Sequence, residues 1–180
     1  MAKPLKVFLY LLLMTVMALP LFGIRVPKLL PSIWLLLIHE FSGFAFVGHT
    51  IFSNIWQMRV RQTQSEQAGI WARGFIRKMA LSITLPTTII TPLAGVMLIE
   101  DWGGLLNAYW AFDAYLMFWL MAGISLWPDL IRLVIDEHAN DATHGMRGGG
   151  IRGVLVLPLV FYIIVCMVTK QAWIAPLLLT

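Results

Sequence analysis

The sequence predicts an all-α membrane protein, a polytopic bundle of transmembrane helices. Three observations predict this fold class. Long uncharged apolar runs alternate with short polar connectors along the chain. The composition is 59% hydrophobic and 12% charged, whereas a soluble domain is about half apolar and about a quarter charged. Lysine and arginine fall almost entirely on every second connector, the distribution that orients membrane proteins.

Five apolar stretches are candidate spans of a bilayer core, which needs about 20 residues of helix. The middle three meet that length, and the first and last can extend through their flanks. We predict a four-helix membrane bundle over residues 31–180, preceded by an N-terminal signal-anchor helix within residues 1–30. A cleavable signal peptide is the alternative for the first stretch. The five stretches are residues 7–23, 32–56, 79–99, 105–127 and 154–169.

The basic residues predict an orientation. With five spans, ten of them share a side with the N-terminus and three lie opposite. The positive-inside rule then places the N-terminus in the cytoplasm and the C-terminus in the periplasm of a bacterial inner membrane. Four spans would break the alternation at the first connector, so the count supports the fifth. The ten are Lys3, Lys6, Arg59, Arg61, Arg73, Arg77, Lys78, Arg132, Arg147 and Arg152; the three are Arg25, Lys28 and Lys170.

A net charge of +4 could indicate a nucleic-acid partner. The basic residues adjoin apolar spans, however, so we interpret them as topology signals and lipid-headgroup contacts and predict no nucleic acid. Residues 57–74 and 129–139 are polar enough to lie at the cytoplasmic surface as short amphipathic helices. Cys166, the single cysteine, excludes an intrachain disulfide and is predicted to be a small buried residue.

One side of the second stretch is polar. At about 3.6 residues per turn, eight polar, small or aromatic side chains fall on that side, which predicts that it faces protein or a cavity. His39 and His49 are ten residues apart, about 15 Å, so they cannot ligate one metal ion. Each is a candidate cofactor ligand; the alternative is a histidine hydrogen-bonded within the protein. The stripe is His39, Ser42, Gly43, Phe46, His49, Thr50, Ser53 and Gln57.

The third stretch carries a ridge of small residues suited to helix packing, formed by Thr84, Thr88, Thr91 and Gly95. Pro86 and Pro92 are predicted to kink this helix. Ionisable side chains at the outer ends of spans two to four could converge in an outer-leaflet pocket, and such groups are functional candidates at membrane depth. For Asp113 the alternative is a cap near the interface. The cluster is His39, Glu40, Glu100, Asp101 and Asp113.

Catalytic motifs are missing from the sequence. It contains no phosphate-binding glycine loop, no HExxH and no GxSxG. The loop over residues 136–144 holds metal-capable side chains, but their spacing matches neither a zinc nor a calcium pattern. We therefore predict neither catalytic residues nor a metal site, and whether the chain is an enzyme stays open.

Residues 32–127 resemble a family of bacterial predicted integral membrane proteins. Its four-helix layout is shared by the copper-resistance D membrane proteins and the haem-associated membrane protoporphyrinogen oxidase. The resemblance rests on the helix IHEFSGFAFVGHTIFSNIW, the connector QMRVRQTQSEQAGIWARGFIRK and the helix TLPTTIITPLAG. It implies that His39 is a haem-ligand candidate. Spans three to five contain no second histidine, and the lysine expected in a later helix of the oxidase is not evident, so that catalytic role is not carried over.

Three hypotheses of function follow. The first is an accessory or structural subunit of a larger membrane complex, in contact with lipid and with partner subunits or further copies of itself. The apolar stripe of Phe112, Trp119 and Leu126 is the predicted partner face, and lipid is its alternative neighbour. The second is a redox protein linked to b-type haem or quinone through His39 or His49. The third is a metal- or proton-linked transport component that uses the outer acidic residues.

Overall fold

The structure, a computed structural model, describes residues 3–126 and 146–179. Within them every regular element is helical, which confirms the all-α prediction. Short 3₁₀ turns at Leu19–Phe22, Ile99–Trp102 and Leu105–Asn107 and π-helical turns at Ala80–Thr84 and Ala122–Leu126 extend or connect the helices. The α-helices are α1 Lys3–Ala18, α2 Ser32–Thr63, α3 Glu66–Met79, α4 Leu85–Leu98, α5 Tyr109–Met121, α6 Met146–Thr169 and α7 Ala175–Leu178.

Three helical stretches are long and apolar enough to cross a membrane: Ser32–Val60, Glu66–Trp102 and Ile151–Thr169. The N-terminal Val7–Phe22 is apolar but shorter. Helix α5 and its π turn reach residue 126, where the first described range ends. These apolar helices indicate a membrane location. The predicted surface segment 129–139 and the loop 136–144 lie outside the described residues.

Helices α2 and α3 continue through the connector that the sequence placed at the cytoplasmic surface. Helix α2 runs unbroken to Thr63, and α3 begins at Glu66. Between them Gln64 is extended, and its N–H donates to the carbonyl of Val60 at 3.0 Å. The 32 residues of α2 measure about 48 Å at 1.5 Å per residue. A bilayer core is about 30 Å thick, so α2 is longer than a perpendicular span needs, and the connector forms a helical hairpin with α3.

Prolines and left-handed residues set several helix ends. Pro20 lies at the start of the 3₁₀ turn after α1, and Gly23 closes that turn at φ +80°, a conformation that glycine adopts without steric cost. Helix α2 starts after Pro31, whose carbonyl accepts the N–H of Trp34 at 3.0 Å. Lys170, at φ +57°, follows the last residue of α6 and turns the chain back toward α5.

The third predicted span is a composite helix. The π-helical turn Ala80–Thr84 joins α3 to α4 and ends two residues before Pro86. Proline has no N–H for the helical ladder, and a wider π turn is one way in which a helix accommodates such a break. Pro92 lies inside α4 and is buried. A π turn therefore lies at the N-terminal end of α4, and the kinks at Pro86 and Pro92 stay predictions.

The helices pack in two main pairs, α2 with α4 and α5 with α6, and α1 lies against α4. The Tyr10 and Thr88 hydroxyls share a 2.9 Å hydrogen bond between α1 and α4. The Tyr115 hydroxyl of α5 donates to the carbonyl of Met17, whose side chain is buried in the main core. Helix α1 is thus packed into the bundle, and a domain boundary at residue 30 stays a prediction.

The stripe predicted as a partner face on α5 points inward instead. Phe112 is only 7% exposed and belongs to the main core. Trp119 packs against the same core and contacts the ring of Phe118 with centroids 5.8 Å apart. The prediction is wrong for Phe112, which is buried in the core, and Trp119 is partly buried against the same core. The side chain of Leu126 lies outside the described part.

Candidate functional site

The polar stripe of α2 faces α4, as its spacing predicts. The Nδ1 atom of His39 lies 2.7 Å from the backbone carbonyl of Thr91, so this nitrogen carries the proton and donates it. The Thr91 hydroxyl donates to Ser42 Oγ at 2.8 Å, and Ser42 Oγ donates to the carbonyl of Ile38 at 2.6 Å. The seam between α2 and α4 therefore satisfies its polar groups within the chain.

Gly95 lies where α2 and α4 approach closely along this seam. A Cβ at Gly95 would lie 3.0 Å from Cε1 and 3.1 Å from Nδ1 of His39, which is tighter than most contacts of a Cβ atom. A Cβ at Gly43 would lie 3.7 Å from the Thr91 methyl, which is ordinary contact. A side chain at position 95 would therefore press on the imidazole, whereas Gly43 has space for a methyl group.

His49 lies in the same seam, nearer to the α2–α3 hairpin. Its Nδ1 and the hydroxyl of Thr84, at the end of the π turn, share a hydrogen bond of 2.8 Å. Two further polar side chains of the stripe bond within α2: Thr50 Oγ1 donates to the carbonyl of Phe46 at 2.8 Å, and Ser53 Oγ donates to that of Thr50 at 3.3 Å. Both candidate histidines are therefore held by threonines of the facing helix.

The small-residue ridge of the third span contacts two neighbouring helices. Thr84, Thr91 and Gly95 contact α2. Thr88 is 4% exposed and contacts Tyr10 of α1 instead. The packing role predicted for the ridge is retained, but Thr88 joins the N-terminal helix to the bundle.

Two acids of the predicted outer cluster pair with bases of the segment before α2. Glu100 lies 3.9 Å from the guanidinium of Arg25. Asp101 accepts hydrogen bonds from Lys28 and from the hydroxyl of Ser32. Arg25 also donates to the carbonyl of Gly103 at 3.0 Å. These pairs tie the loop after α4 to the entry of α2, beside a cavity of about 200 Å³ that Arg25, Glu100 and the glycines 23, 103 and 104 line in part.

Glu40 is exposed and lies on the side of the bundle that carries Lys170. The Lys170 ammonium sits 3.7 Å from the ring centroid of Trp110, a cation–π geometry. Burial lowers the pKa of Lys170, and the carboxylate of Glu40 opposes that shift.

Asp113 is the most unusual side chain, because it is a carboxylate with 0% exposure in an apolar helix. Its Oδ2 accepts the Tyr162 hydroxyl at 2.8 Å and the backbone N–H groups of Trp173 and Ile174 at 2.8 and 2.9 Å. Its Oδ1 accepts the N–H of Ala175 at 2.5 Å. Three consecutive N–H groups at the start of α7 converge on one carboxylate, so Asp113 caps that helix. We call this arrangement the Asp113 clamp.

The clamp matches the capping alternative for Asp113, with a partner segment that the sequence does not reveal. The capped segment lies 60 or more residues away in sequence, and N-cap patterns are recognised only between neighbours in the chain. The available signal is Pro176, which lies in the first turn of α7. Cys166 is fully buried, as predicted; its thiol lies near the clamp.

The five members of the predicted outer cluster therefore belong to separate sets of contacts. His39 bonds to α4, Glu100 and Asp101 pair with the segment before α2, and Asp113 binds the C-terminal segment. In the part of the chain that the structure describes, no three histidine, cysteine, aspartate or glutamate side chains are placed to hold a metal ion together. The hydrogen bonds and ion pairs of these side chains stabilise the packing of the helices and their connecting segments.

Comparisons with protein-family models, with curated proteins and with solved structures found no match to this chain. The resemblance to the copper-resistance D-like membrane proteins therefore stays a prediction.

Proposed function

We propose that this chain is an accessory or structural subunit of a larger membrane complex. The observation that carries the proposal is the face of α2 opposite the α4 seam, which no described part of the chain covers. That face is aromatic and strongly exposed: Trp34 at 58%, Phe41 at 70%, and Phe44 and Phe52 at 73% each.

The same face contains a gap suited to another helix. Gly48 lies between Phe44 and Phe52 along the face, and a Cβ there would meet no atom within 4 Å. A small residue between large apolar ones lets a neighbouring helix approach closely, and van der Waals packing of this kind drives helix association in membranes. Only 11% of the most apolar stretch of α2 is buried, against 39% for α3–α4 and 17% for α6, so α2 is the least covered of these three long apolar stretches.

The hydrogen bonds of the polar side chains also support a structural role. His39, His49 and Asp113 all make hydrogen bonds to groups of this chain. A site for chemistry would bring several titratable groups together, whereas these three side chains belong to separate sets of contacts. The transport hypothesis also loses support, because two of its acidic residues, Glu100 and Asp101, are paired with Arg25 and Lys28.

Purification in mild detergent followed by native mass spectrometry tests the subunit role. We expect a complex whose partner is lost when Gly48→Leu fills the gap on α2. Phe161→Ala is the matched control, because Phe161 is 69% exposed on a different helix, α6. A clean monomer for the wild type, or equal loss of the partner in both variants, would contradict the proposal.

Haem binding through His39 is a second candidate function. The hydrogen bond from His39 Nδ1 to the Thr91 carbonyl favours it. A histidine that donates from Nδ1 leaves Nε2 as the nitrogen that can bind a metal. The fit is poor, however. The ring is packed against Gly95, and the lining of the described 200 Å³ cavity does not include His39. Protein from cells grown with ample haem should show no Soret absorbance, and a Soret band that His39→Ala abolishes would favour haem instead.

A further inference from the structure

The hairpin formed by α2 and α3 carries an exposed aromatic cluster. The ring centroids of Trp56 and Trp71 are 6.3 Å apart, those of Trp56 and Phe75 are 6.1 Å apart, and Trp71 stacks on Phe75 at 5.6 Å with planes 10° apart. The three side chains are 39%, 65% and 46% exposed respectively. We call this group the hairpin aromatic cluster.

The net charge of the protein is located on the same hairpin. Residues 57–79 contain five basic residues and one acid, Glu66, and the acidic and basic residues of the other parts of the chain balance each other. The whole formal charge of +4 therefore belongs to this segment. Arg59 on α2 and Lys78 on α3 have exposed side chains. The five are Arg59, Arg61, Arg73, Arg77 and Lys78.

The helix register places the aromatic cluster just outside a bilayer core. Counted from the start of α2 at Ser32, about 20 residues cross the core, which ends near Phe52. The contacts of His39 with Thr91 and of His49 with Thr84 show that α4 runs antiparallel to α2. The end of α3 is therefore level with Phe52, and the aromatic cluster lies beyond it, in the headgroup layer.

We propose that the α2–α3 hairpin binds the headgroups of anionic phospholipids. Tryptophan rings are favourable at the depth of the headgroups, and arginine and lysine next to them attract lipids with a net negative charge. Zwitterionic headgroups lack that net charge, so they gain less from the excess of basic residues. This inference does not depend on the proposed subunit role, because a monomer can carry the same lipid site.

Native mass spectrometry of the full-length protein in detergent tests the proposal. The protein is titrated with phosphatidylglycerol or with phosphatidylcholine of the same acyl chains. We expect phosphatidylglycerol to bind preferentially. The preference should fall about 25-fold in the variant Arg59→Gln/Lys78→Gln, because each of the two basic residues removed near an anionic surface contributes about fivefold.

Two controls distinguish binding at the hairpin from general electrostatic attraction of anionic lipid to the protein. The variant Lys3→Gln/Lys6→Gln removes the same charge from the same predicted side of the membrane, and it should keep the preference. Trp71→Ala should weaken phosphatidylglycerol binding, whereas Trp102→Ala, at a residue of similar exposure outside the hairpin, should not.

Three results would overturn the inference. The first is equal binding of the two lipids by the wild type. The second is a preference that survives in the hairpin variant but is lost in the Lys3→Gln/Lys6→Gln variant. The third is displacement of phosphatidylglycerol by millimolar inorganic phosphate, which would show that the hairpin recognises phosphate rather than a lipid.

Discussion

The imidazole of His39 occupies the space that a side chain at Gly95 would need. A Cβ on Gly95 would lie 3.0 Å from His39 Cε1, and the hydrogen bond from His39 to the Thr91 carbonyl prevents the ring from moving aside. The closeness of α2 and α4 therefore depends on the absence of a side chain at one position. A polar residue in an apolar helix is accommodated by a glycine on its neighbour.

Gly95→Ala should destabilise the protein by about 1–3 kcal/mol, the usual cost of overpacking a well-packed site. Alanine is intrinsically better than glycine in a helix by about 1 kcal/mol, so the steric cost must exceed that gain. Gly48→Ala is the control, because a Cβ there meets nothing within 4 Å, and it should be neutral or slightly stabilising. Unfolding of both variants in detergent micelles measures the difference, and equal stability would contradict the tight seam.

Asp113→Asn should release the C-terminal segment. An amide has only one acceptor oxygen, so its NH₂ group must face at least one of the N–H donors that the carboxylate now accepts. We expect a loss of about 1–3 kcal/mol in the free energy of unfolding, the cost of unsatisfied buried donors. The single cysteine, Cys166, is fully buried beside the clamp, so its rate of reaction with a thiol reagent reports the opening and should rise.

Tyr162→Phe is the control for the clamp. It removes one of the four donors and leaves the three backbone N–H groups in place. Thiol labelling should therefore increase less than in Asp113→Asn. If Cys166 stays protected in Asp113→Asn, then Asp113 does not hold the C-terminal segment.

The sequence predicts the features that depend on periodicity. The apolar stretches predict the helices, and the 3.6-residue spacing predicts that His39, Ser42 and His49 share one face, which contacts α4 in the structure. Position within a helix is local information, so a single sequence is sufficient for it.

Contacts between distant segments are not local, and a single sequence does not show which helices make them. Similar depth in the membrane suggested that Asp113 and His39 share a pocket, but Asp113 lies on α5, which pairs with α6 rather than with α2. Phe112 was predicted to lie on an exposed partner face. Helix α5 is apolar on all sides, so its sequence does not show which face is buried. The surroundings of both Asp113 and Phe112 depend on which helices pack against each other.

Topology reporters test the predicted orientation. We expect a cytoplasmic signal from a fusion at Glu66, at the tip of the basic hairpin, and a periplasmic signal from a fusion at Thr180, because of the asymmetric distribution of lysine and arginine. A fusion at Gly103, in the loop at the opposite end of α4, is the control and should report the periplasm. Cytoplasmic signals at both Glu66 and Thr180 would remove the fifth span.

The final prediction concerns the coupling between His39 and Gly95. His39→Ala alone should cost about 1–3 kcal/mol, because it removes the hydrogen bond to the Thr91 carbonyl. In that background Gly95→Ala should become neutral or stabilising, since the new methyl group enters the vacated space. The double-mutant cycle should therefore give a favourable interaction energy of about 1–3 kcal/mol. Unfolding of the four proteins in detergent measures it, and strictly additive effects would show that the imidazole and residue 95 do not compete for one space.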